Sequence, residues 1–284
     1  MSRTAIITDT DSSLPFDLAK KYNLVQVPII IQFGEESFRD AYDISNQAVF
    51  ARIDREGKLP TTAAPSPGQF AEAFKTAFDS GADSVLCFNI SSEMSATYAS
   101  ARQAAEMFPG KHIEVVDTRS LAMGQGYMVL AAAEAAAGGG SIEDALAAAD
   151  DLRGRTHLFG ALATLKYIAM SGRVSHLAAG MAGLLDIKPI LSLQNGKLEL
   201  LEKIRTQNKA WNRAVELSVE KAAGRKIEKM AVLHVKAPEA GRQFESLLRN
   251  ALPCPQEILF TEITPGLSIH TGAGMVAVIF VLAK

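Results

Sequence analysis

Short apolar runs alternate with helical patterns through the first half of the chain, and this alternation constrains the fold more than any other feature. Strands are predicted at 4–8, 24–32, 84–88 and 113–116. Helices are predicted at 16–22, 45–56, 68–80, 97–108, 126–137 and 142–152. Strands separated by helices pair in parallel, and helices then cover both faces of the sheet. The sequence therefore predicts an α/β fold whose N-terminal sheet is mostly parallel.

The second half follows a different pattern. Two apolar-rich runs, 186–194 and 197–204, are joined by Asn195-Gly196, a dipeptide typical of a two-residue hairpin turn. Further strands are predicted at 229–234, 257–262 and 275–282, with helices at 208–223 and 237–252. This order predicts an α+β domain with a largely antiparallel sheet. We place the two domains at residues 1–155 and 156–284.

Composition excludes several classes of function. The 284 residues carry a net charge of −2 with both signs interspersed, so no basic stripe indicates a nucleic-acid partner. Cys87 and Cys254 are the only cysteines, and they offer neither a disulfide framework nor metal-ligand spacing. The first apolar run is very short and is followed by Asp9 and Asp11, unlike a signal peptide or a membrane span. We therefore expect a cytoplasmic protein that needs no metal or cofactor.

A cluster of hydroxyls lies between a predicted strand and a predicted helix. Ser91, Ser92, Ser95 and Thr97 follow the apolar run 85–88 and lead into an alanine-rich helical pattern. The first turn of a helix has unpaired N–H groups and a partial positive charge, so it favours an anionic group. One hydroxyl is enough to cap a helix, so four of them favour a ligand site, with capping alone as the alternative.

Three other loops carry residues suited to contact an anion. Thr62 lies in the loop 60–66, which two prolines hold extended; a plain loop before a helix cap is the alternative. Arg173 follows a glycine turn and can aim its guanidinium at a carboxylate or phosphate, although a lone arginine is usually a surface residue. His270 lies among glycines in the predicted loop 265–274. Three roles are open for it: contact with an anion, acid–base chemistry, or a purely structural role.

Motifs of common enzyme classes are absent from the sequence. The chain has no Gly-x-Ser-x-Gly elbow, no phosphate-binding loop and no His-Glu-x-x-His sequence. Residues 272–277 formally fit a dinucleotide fingerprint, but an apolar β-type run follows them where the fingerprint requires a helix. A hydrolytic pair of Ser95 and His270 lacks a recognisable third member and an oxyanion hole.

The order of these motifs resembles the DegV family of fatty-acid-binding proteins over essentially the whole chain. The matching segments are Ile7-Thr8-Asp9-Thr10, Thr62-Ala63-Ala64-Pro65-Ser66, Ser91-Ser92-Glu93-Met94-Ser95-Ala96-Thr97-Tyr98, Asp117-Thr118-Arg119-Ser120, Ser171-Gly172-Arg173-Val174-Ser175, Leu185-Asp186-Ile187-Lys188-Pro189-Ile190 with Arg205-Thr206, and His270-Thr271-Gly272-Ala273-Gly274. Each segment is weak evidence alone, but seven segments in the same order are specific.

The resemblance implies two α/β domains with one long-chain fatty acid in a tunnel between them. The carboxylate-binding residues implied by the family pattern are Thr62, Ser91, Ser92, Ser95, Arg173 and His270. Met170, Leu184 and Ile269 are implied as tunnel-lining residues, and Arg205 as part of a docking surface. Such a protein is not itself an enzyme: it hands the carboxylate to a separate fatty acid kinase, which makes an acyl phosphate for phospholipid synthesis. Transient membrane contact is compatible with that role.

Two other functions stay open at this point. The first is an enzyme that acts on a small carboxylate or phosphate ester, with His270 as acid or base and Arg173 as the anion clamp. The second is a regulatory module that senses lipid and docks a partner through basic residues such as Lys203 and Arg205. The carrier, the enzyme and the module differ in whether the protein turns over a substrate and in which partner it binds.

Overall fold

A parallel four-stranded sheet and a separate six-stranded sheet form the framework of the computed structural model, which describes residues 3–173 and 187–284. The chain divides into two units. Unit 1 comprises residues 1–44 and 60–154, and unit 2 comprises residues 45–59 and 155–284. This division differs from the domain ranges given above chiefly in residues 45–59, which pack with the second unit.

Unit 1 contains the parallel sheet and a small antiparallel sheet. The parallel sheet consists of β1 (Thr4–Asp9), β2 (Val25–Val27), β6 (Ser84–Asn89) and β7 (His112–Asp117), in the spatial order β2-β1-β6-β7. The small sheet consists of β3 (Ile30–Phe33), β4 (Glu36–Arg39) and β5 (Thr61–Ala63), in the order β4-β3-β5. Every residue of β6 is buried, as expected for a strand that helices cover on both faces.

The described residues of unit 1 form five α-helices. They are α1 (Phe16–Lys21), α3 (Pro67–Asp79), α4 (Thr97–Ala105), α5 (Ala122–Ala137) and α6 (Ile142–Arg153). Helices α3 and α4 pack on each other and on β6, and helices α5 and α6 do the same. Phe70 and Phe74 of α3 belong to one apolar cluster with Val85 and Cys87 of β6. The periodic burial of α3 therefore fixes its position on the sheet.

Unit 2 is built on the mixed sheet. Its strands are β8 (Thr156–Ala161), β9 (Lys188–Gln194), β10 (Lys197–Ile204), β11 (Ile227–His234), β12 (Leu259–Glu262) and β13 (Val276–Leu282), in the order β10-β9-β8-β13-β11-β12. All neighbouring pairs are antiparallel except β11 and β12. Its helices are α2 (Asn46–Glu56), α7 (Lys166–Ser171), α8 (Gln207–Ala222), α9 (Pro238–Ala251) and α10 (Pro265–Thr271). In the described part of the chain, no helix is both long and apolar enough to cross a membrane.

Helix α2 belongs to unit 2 because its contacts within that unit are specific. The Asn46 Nδ2 group donates to the backbone oxygen of Ile263 at 2.8 Å. The ring of Phe50 meets the ring of Tyr167 edge-on, with the centroids 5.9 Å apart. Ser45 starts the helix by accepting the Ala48 N–H on its hydroxyl. Helical periodicity predicts α2 itself, but only these distant partners decide which unit it joins.

The predicted fold class is confirmed: a parallel N-terminal sheet and a largely antiparallel C-terminal sheet are both present. The predicted hairpin is also confirmed as β9 and β10. Asn195 and Gly196 have φ values of 50° and 81°, the two positive angles that a type I′ turn requires. The turn chemistry alone was enough to predict this element, because few residues adopt positive φ at low cost.

Three secondary-structure predictions are wrong or incomplete. The predicted strand 24–32 is two strands in different sheets, because Pro28 has no N–H with which to continue a ladder. The predicted loop 265–274 contains α10, which Pro265 starts at the first helical position. Strands β4, β5 and β8 were not predicted. In the case of β5, three residues of sheet between prolines give too short a pattern to recognise.

We predict that Phe74→Ala lowers the free energy of unfolding by about 3–5 kcal/mol, the usual cost of removing a large buried aromatic ring. Phe74 is fully buried against Phe70 and Phe108. The matched control is Phe16→Ala in the same unit, where the ring is 49% exposed and we expect a loss below about 1 kcal/mol. Urea unfolding followed by circular dichroism measures both, and equal losses would contradict the packing described here.

Candidate functional site

The order of the parallel strands places a topological switch point in unit 1. From β1 the chain adds β2 on one side and then adds β6 and β7 on the other, so the connections leaving β1 and β6 turn in opposite directions. In open α/β sheets, ligands bind beyond the carboxyl ends of the strands at such a point. Here β1 ends at Asp9, β6 at Asn89 and β7 at Asp117. The hydroxyl cluster predicted from the sequence follows β6 directly.

The carboxylate of Asp9 lies at the centre of this strand edge and is fully buried. Its Oδ1 accepts the Asp11 N–H and the Gln125 side-chain N–H, both at 3.0 Å. Its Oδ2 accepts the Ile90 N–H at 2.8 Å and the Asn89 side-chain N–H at 3.3 Å. The four donors come from the turn after β1, from the last residue of β6 and the residue that follows it, and from helix α5. Asp9 therefore ties both exits of the switch point to one helix.

Two opposing effects set the pKa of Asp9. Burial favours the neutral acid and is the largest effect, while the hydrogen bonds from Ile90, Gln125, Asn89 and Asp11 favour the carboxylate. The balance raises the pKa of Asp9 from 3.8 to about 6. At pH 7 the group is a buried anion, and the hydrogen-bond donors of these four residues stabilise its charge.

The turn after β6 uses its hydroxyls in different ways. Ser91 is fully buried, and its N–H donates to the Ser120 carbonyl at 2.9 Å. The Ser92 hydroxyl is exposed and donates to Asp117 Oδ2 at 2.5 Å, while the Ser92 N–H donates to Asp117 Oδ1 at 3.1 Å. The Ser95 hydroxyl lies 2.8 Å from that of Thr97. A hydroxyl has one hydrogen to donate, and Ser92 donates it to Asp117, so Ser92 contributes to holding the turn. Ser95 has its hydrogen left for a ligand when Thr97 is the donor of the hydrogen bond between them.

Helix α4 begins immediately after this turn without a side-chain cap in its N-cap position. Ala96 occupies that position and has no polar side chain. The Thr97 N–H is accepted by Ser95 Oγ at 3.3 Å, which satisfies one of the amides of the first turn. The N–H groups that follow, at Tyr98 and Ala99, have no intrahelical acceptor and carry the positive end of the helix dipole. The combination suits a carboxylate or another small anion.

Thr62 lies on the small sheet, in a segment connected to the same helix. Its strand β5 pairs with β3, and Thr62 is opposite Ile31. Three residues later, the Pro65 carbonyl accepts the Ser100 hydroxyl of α4 at 2.5 Å. This hydrogen bond links the loop after β5 to the helix that follows Ser95. Thr62, Ser91, Ser92 and Ser95 are thus all carried by connected elements of unit 1.

Arg173 and His270 belong to unit 2, on helices that pack together. Arg173 is exposed and follows α7, and its guanidinium donates to the Ser171 carbonyl at 2.5 Å. His270 lies in the last turn of α10, and burial, followed by the charge of Arg173, lowers its pKa to about 4. His270 is therefore neutral at pH 7. The positive charge of Arg173, in the same unit, disfavours protonation of the His270 ring.

Glycine is required at the end of α10 for a steric reason. Gly272 has a φ of 84°, and a Cβ built there would lie 2.3 Å from the Tyr167 ring of α7. Glycines such as those around His270 let a backbone approach a ligand only where no side chain already fills the space. At Gly272 the space is taken by Tyr167, so this glycine serves the packing of α7 on α10.

The remaining residues named from the family resemblance lie in unit 2 or outside the described residues. Ile269 of α10 is buried, whereas Met170 of α7 is 54% exposed. Arg205 follows β10 and is exposed. Leu184 lies outside the described residues. Within residues 3–173 and 187–284, no group of three or more His, Cys, Asp or Glu side chains is arranged to hold a metal ion.

Three residues of the site were not singled out as site residues from the sequence. Asp9 and Asp117 each end a parallel strand, and that position was a usable signal because carboxyl ends of parallel strands share one edge. Gln125 gave no such signal. It lies in the first turn of α5, before residue 126 where the helix was predicted to begin, and only the packing of α5 against β1 aims its amide at Asp9.

The fold and this strand edge define a class of protein: a two-unit α/β protein with a hydroxyl-lined turn at a switch point. Sequence comparison gives the family. The profile of the DegV family matches residues 3–283, and the chain belongs to the DegV family. A DegV domain-containing protein of Streptomyces coelicolor is 32% identical over 280 residues, which cover 98% of this chain and 99% of that protein.

Solved structures of similar proteins share the whole fold. A DegV family protein from Thermus thermophilus, described as fatty acid binding, is 34% identical with a TM-score of 0.88, and the match covers 99% of this chain and 100% of that one. DegV from Bacillus subtilis, described as a fatty acid binding protein, is 25% identical with a TM-score of 0.87, and the match covers 100% of both chains. Both matches extend over the two units.

We predict a specific pH dependence of stability from Asp9. Its pKa is about 6 in the folded protein and near 3.8 when unfolded, so the folded state retains a proton that the unfolded chain has lost between these values. The resulting stabilisation is present below pH 4 and is lost as the pH rises through 6. The stability of the wild type minus that of Asp9→Asn should therefore fall between pH 4 and pH 7, by at most about 3 kcal/mol.

Urea unfolding at the two pH values measures this difference. The control is Asp79→Asn, which removes an exposed carboxylate paired with Lys75 on α3 and should change little between the two pH values. A difference between the wild type and Asp9→Asn that stays constant or grows with pH would contradict the burial effect.

Proposed function

We propose that this protein is a fatty acid carrier. It binds one long-chain fatty acid and presents the carboxylate to a separate fatty acid kinase, without catalysing a reaction itself. Support for fatty acid binding comes from the Thermus thermophilus and Bacillus subtilis proteins, which are described as binding fatty acids and match this chain over both units. The kinase partnership rests on the family resemblance of the sequence motifs.

The observation that carries the proposal is the anion-binding character of the turn before α4. Ser95 lies where the uncapped first turn of the helix begins, and the N–H groups of that turn favour a negative charge. We assign Ser95 and Thr62 as hydroxyl donors to the fatty acid carboxylate. Ser91 and Ser92 hold the turn through their bonds to Ser120 and Asp117.

Arg173 and His270 complete the proposed set of carboxylate partners. Arg173 supplies a permanent positive charge, and a guanidinium is well suited to a carboxylate because it can donate two parallel hydrogen bonds. His270 is neutral at pH 7 because its pKa is about 4, so it supplies at most one ring N–H and no charge. The positive charge of the proposed set is therefore carried by Arg173.

The energetics of a long acyl chain agree with a polar site of this kind. Burial of a methylene group contributes about 0.8 kcal/mol, so about fifteen of them contribute roughly 12 kcal/mol before losses of motion are subtracted. Affinity then comes mainly from the tail. The head group needs satisfied hydrogen bonds and a fixed direction, which hydroxyls and backbone N–H groups provide. The predicted lining residues Met170, Leu184 and Ile269 stay predictions.

Presentation to a kinase adds one further requirement, because phosphoryl transfer needs access to a carboxylate oxygen. We propose Arg205, exposed after β10, as part of the surface that docks the kinase. In the enzyme alternative, a pKa of about 4 leaves almost no imidazolium at pH 7, so His270 is poorly suited to act as a general acid and only its role as a base stays open. Transient membrane contact also stays a prediction.

We predict that the protein purified from a bacterial host carries an acyl chain. Mass spectrometry of the denatured protein's extract should detect fatty acid in an amount close to one molecule per chain. After delipidation, the protein should bind palmitic acid in a fluorescence displacement assay, because the tail contributes most of the affinity. Absence of extracted lipid together with absence of rebinding would refute the carrier.

We predict that Thr62→Ala combined with Ser95→Ala weakens fatty acid binding about tenfold or more, because it removes two donors, each worth on the order of 1 kcal/mol. Acyl phosphate formation with a fatty acid kinase should fall as well. The matched control is Thr61→Ala, the exposed neighbour of Thr62 on β5. If the double variant binds and supports the kinase as well as this control does, the assignment of the head-group donors is wrong.

A further inference from the structure

The turn that follows β6 is held from both sides by carboxylates. Strand β6 lies between β1 and β7, so the last residues of those two strands flank its exit. Asp9, at the end of β1, accepts the Ile90 N–H at 2.8 Å. Asp117, at the end of β7, accepts the Ser92 N–H at 3.1 Å and the Ser92 hydroxyl at 2.5 Å.

We infer that Asp9 and Asp117 together are positioning residues for the head-group turn, residues 90–97. They hold the amides of Ile90 and Ser92 in place, so that Ser95 and the first turn of α4 present their donors in one fixed arrangement. The inference rests on the proposed function, because it concerns the orientation of donors that we assign to the fatty acid carboxylate.

The hydrogen bonds of the turn divide it into a closed part and an open part. In the closed part, the Ser91 N–H donates to Ser120, and the N–H groups of Met94 and Ser95 donate to the Ser91 carbonyl at 3.0 and 3.1 Å. The open part begins at Ala96, with the uncapped start of α4. We call Asp9 and Asp117 the clamp of this turn. A change in the clamp therefore moves the closed part as one piece and shifts the Ser95 hydroxyl with it.

A structural role alone is a poor explanation for Asp9. Removing a carboxylate from water costs several kcal/mol, and an apolar residue of similar size commonly serves stability as well or better. Asp9 is fully buried, yet it is matched by four donors, two of which are backbone N–H groups at the exits of β1 and β6. What the carboxylate provides, and an apolar residue lacks, is a fixed position for these backbone groups.

Gln125 and Arg119 make the clamp stiffer. The Gln125 amide donates to both Asp9 Oδ1 and the Thr8 hydroxyl, at 3.0 and 2.9 Å, and so restricts the rotation of the Asp9 side chain. The Arg119 N–H donates to Asp117 Oδ1 at 2.9 Å, and the Arg119 guanidinium contacts Glu93 of the turn at 3.4 Å. Both carboxylates are therefore themselves held by neighbouring side chains and backbone.

The experiment compares two probes that share a tail and differ in the head group. The delipidated full-length protein is titrated with myristic acid and with 1-tetradecanol. For Asp117→Ala we expect the Kd for myristic acid to rise about tenfold, a change of about 1.4 kcal/mol, while the Kd for the alcohol stays within about twofold. For Asp9→Asn we likewise expect the Kd for myristic acid to rise while the Kd for the alcohol stays within about twofold, because the new amide presents a donor to groups that already donate.

Ser84→Ala is the matched control. The Ser84 hydroxyl lies 3.0 Å from that of Thr4, at the amino ends of the same two strands β1 and β6, far along the sheet from the turn. Its loss removes a polar contact between these strands without touching the clamp. The ratio of the two dissociation constants should therefore stay at the wild-type value.

The possible outcomes separate the inference from the proposed function. If the wild type binds myristic acid but Asp117→Ala binds both probes as the wild type does, or loses affinity for both equally, the clamp does not position the head-group donors. If the wild type binds neither probe, the proposed function fails and the inference fails with it. Asp117 is only half-buried, so we expect Asp117→Ala to fold. The test can therefore be decided with this variant even if Asp9→Asn does not fold.

Discussion

The hydrogen bonds to the buried Asp9 carboxylate are the interaction on which the candidate site depends. They join the exits of two adjacent parallel strands to helix α5 at the point where the direction of the chain connections reverses. A charge without donors is too costly to bury, so the carboxylate imposes positions on its partners as much as they stabilise it. The hydrogen bond from the Ile90 N–H to Asp9 therefore fixes the start of the loop after β6.

If the ligand is a fatty acid, as proposed, the geometry of the site matters more than the strength of its polar contacts. The tail provides most of the binding free energy through a non-directional effect, and that effect does not determine which way the carboxylate points. Direction comes from donors with fixed positions. In our proposal, the turn before α4 provides them through Ser95 and the amides at the start of the helix, where the N-cap residue has no capping side chain. A carrier that presents a carboxylate to another protein needs this separation of affinity from orientation.

Much of the fold and part of the site could be predicted from local chemistry. Asn195-Gly196 predicts its hairpin because two positive φ angles favour those residues. The hydroxyl cluster at 91–97 was visible because four hydroxyl-bearing residues lie between an apolar run and a helical pattern. The strand 24–32 was predicted wrongly. Pro28 indicates where the hydrogen-bond ladder of β2 ends, but no local pattern shows that the following run, β3, pairs in another sheet.

By itself, the sequence determined the alternation of strands and helices, the hairpin, the family pattern and the presence of a hydroxyl-rich turn between β6 and α4. Each single element and motif among these depends on residues that are near one another in the chain, and the family pattern depends on the order of such motifs. Only the tertiary structure decided that α2 packs in unit 2, that Gln125 aims its amide at Asp9, and that Asp117 takes the single hydrogen of the Ser92 hydroxyl. These contacts join residues that are distant in sequence. They depend on burial and on the order of the strands in the sheet, and no local sequence pattern encodes either.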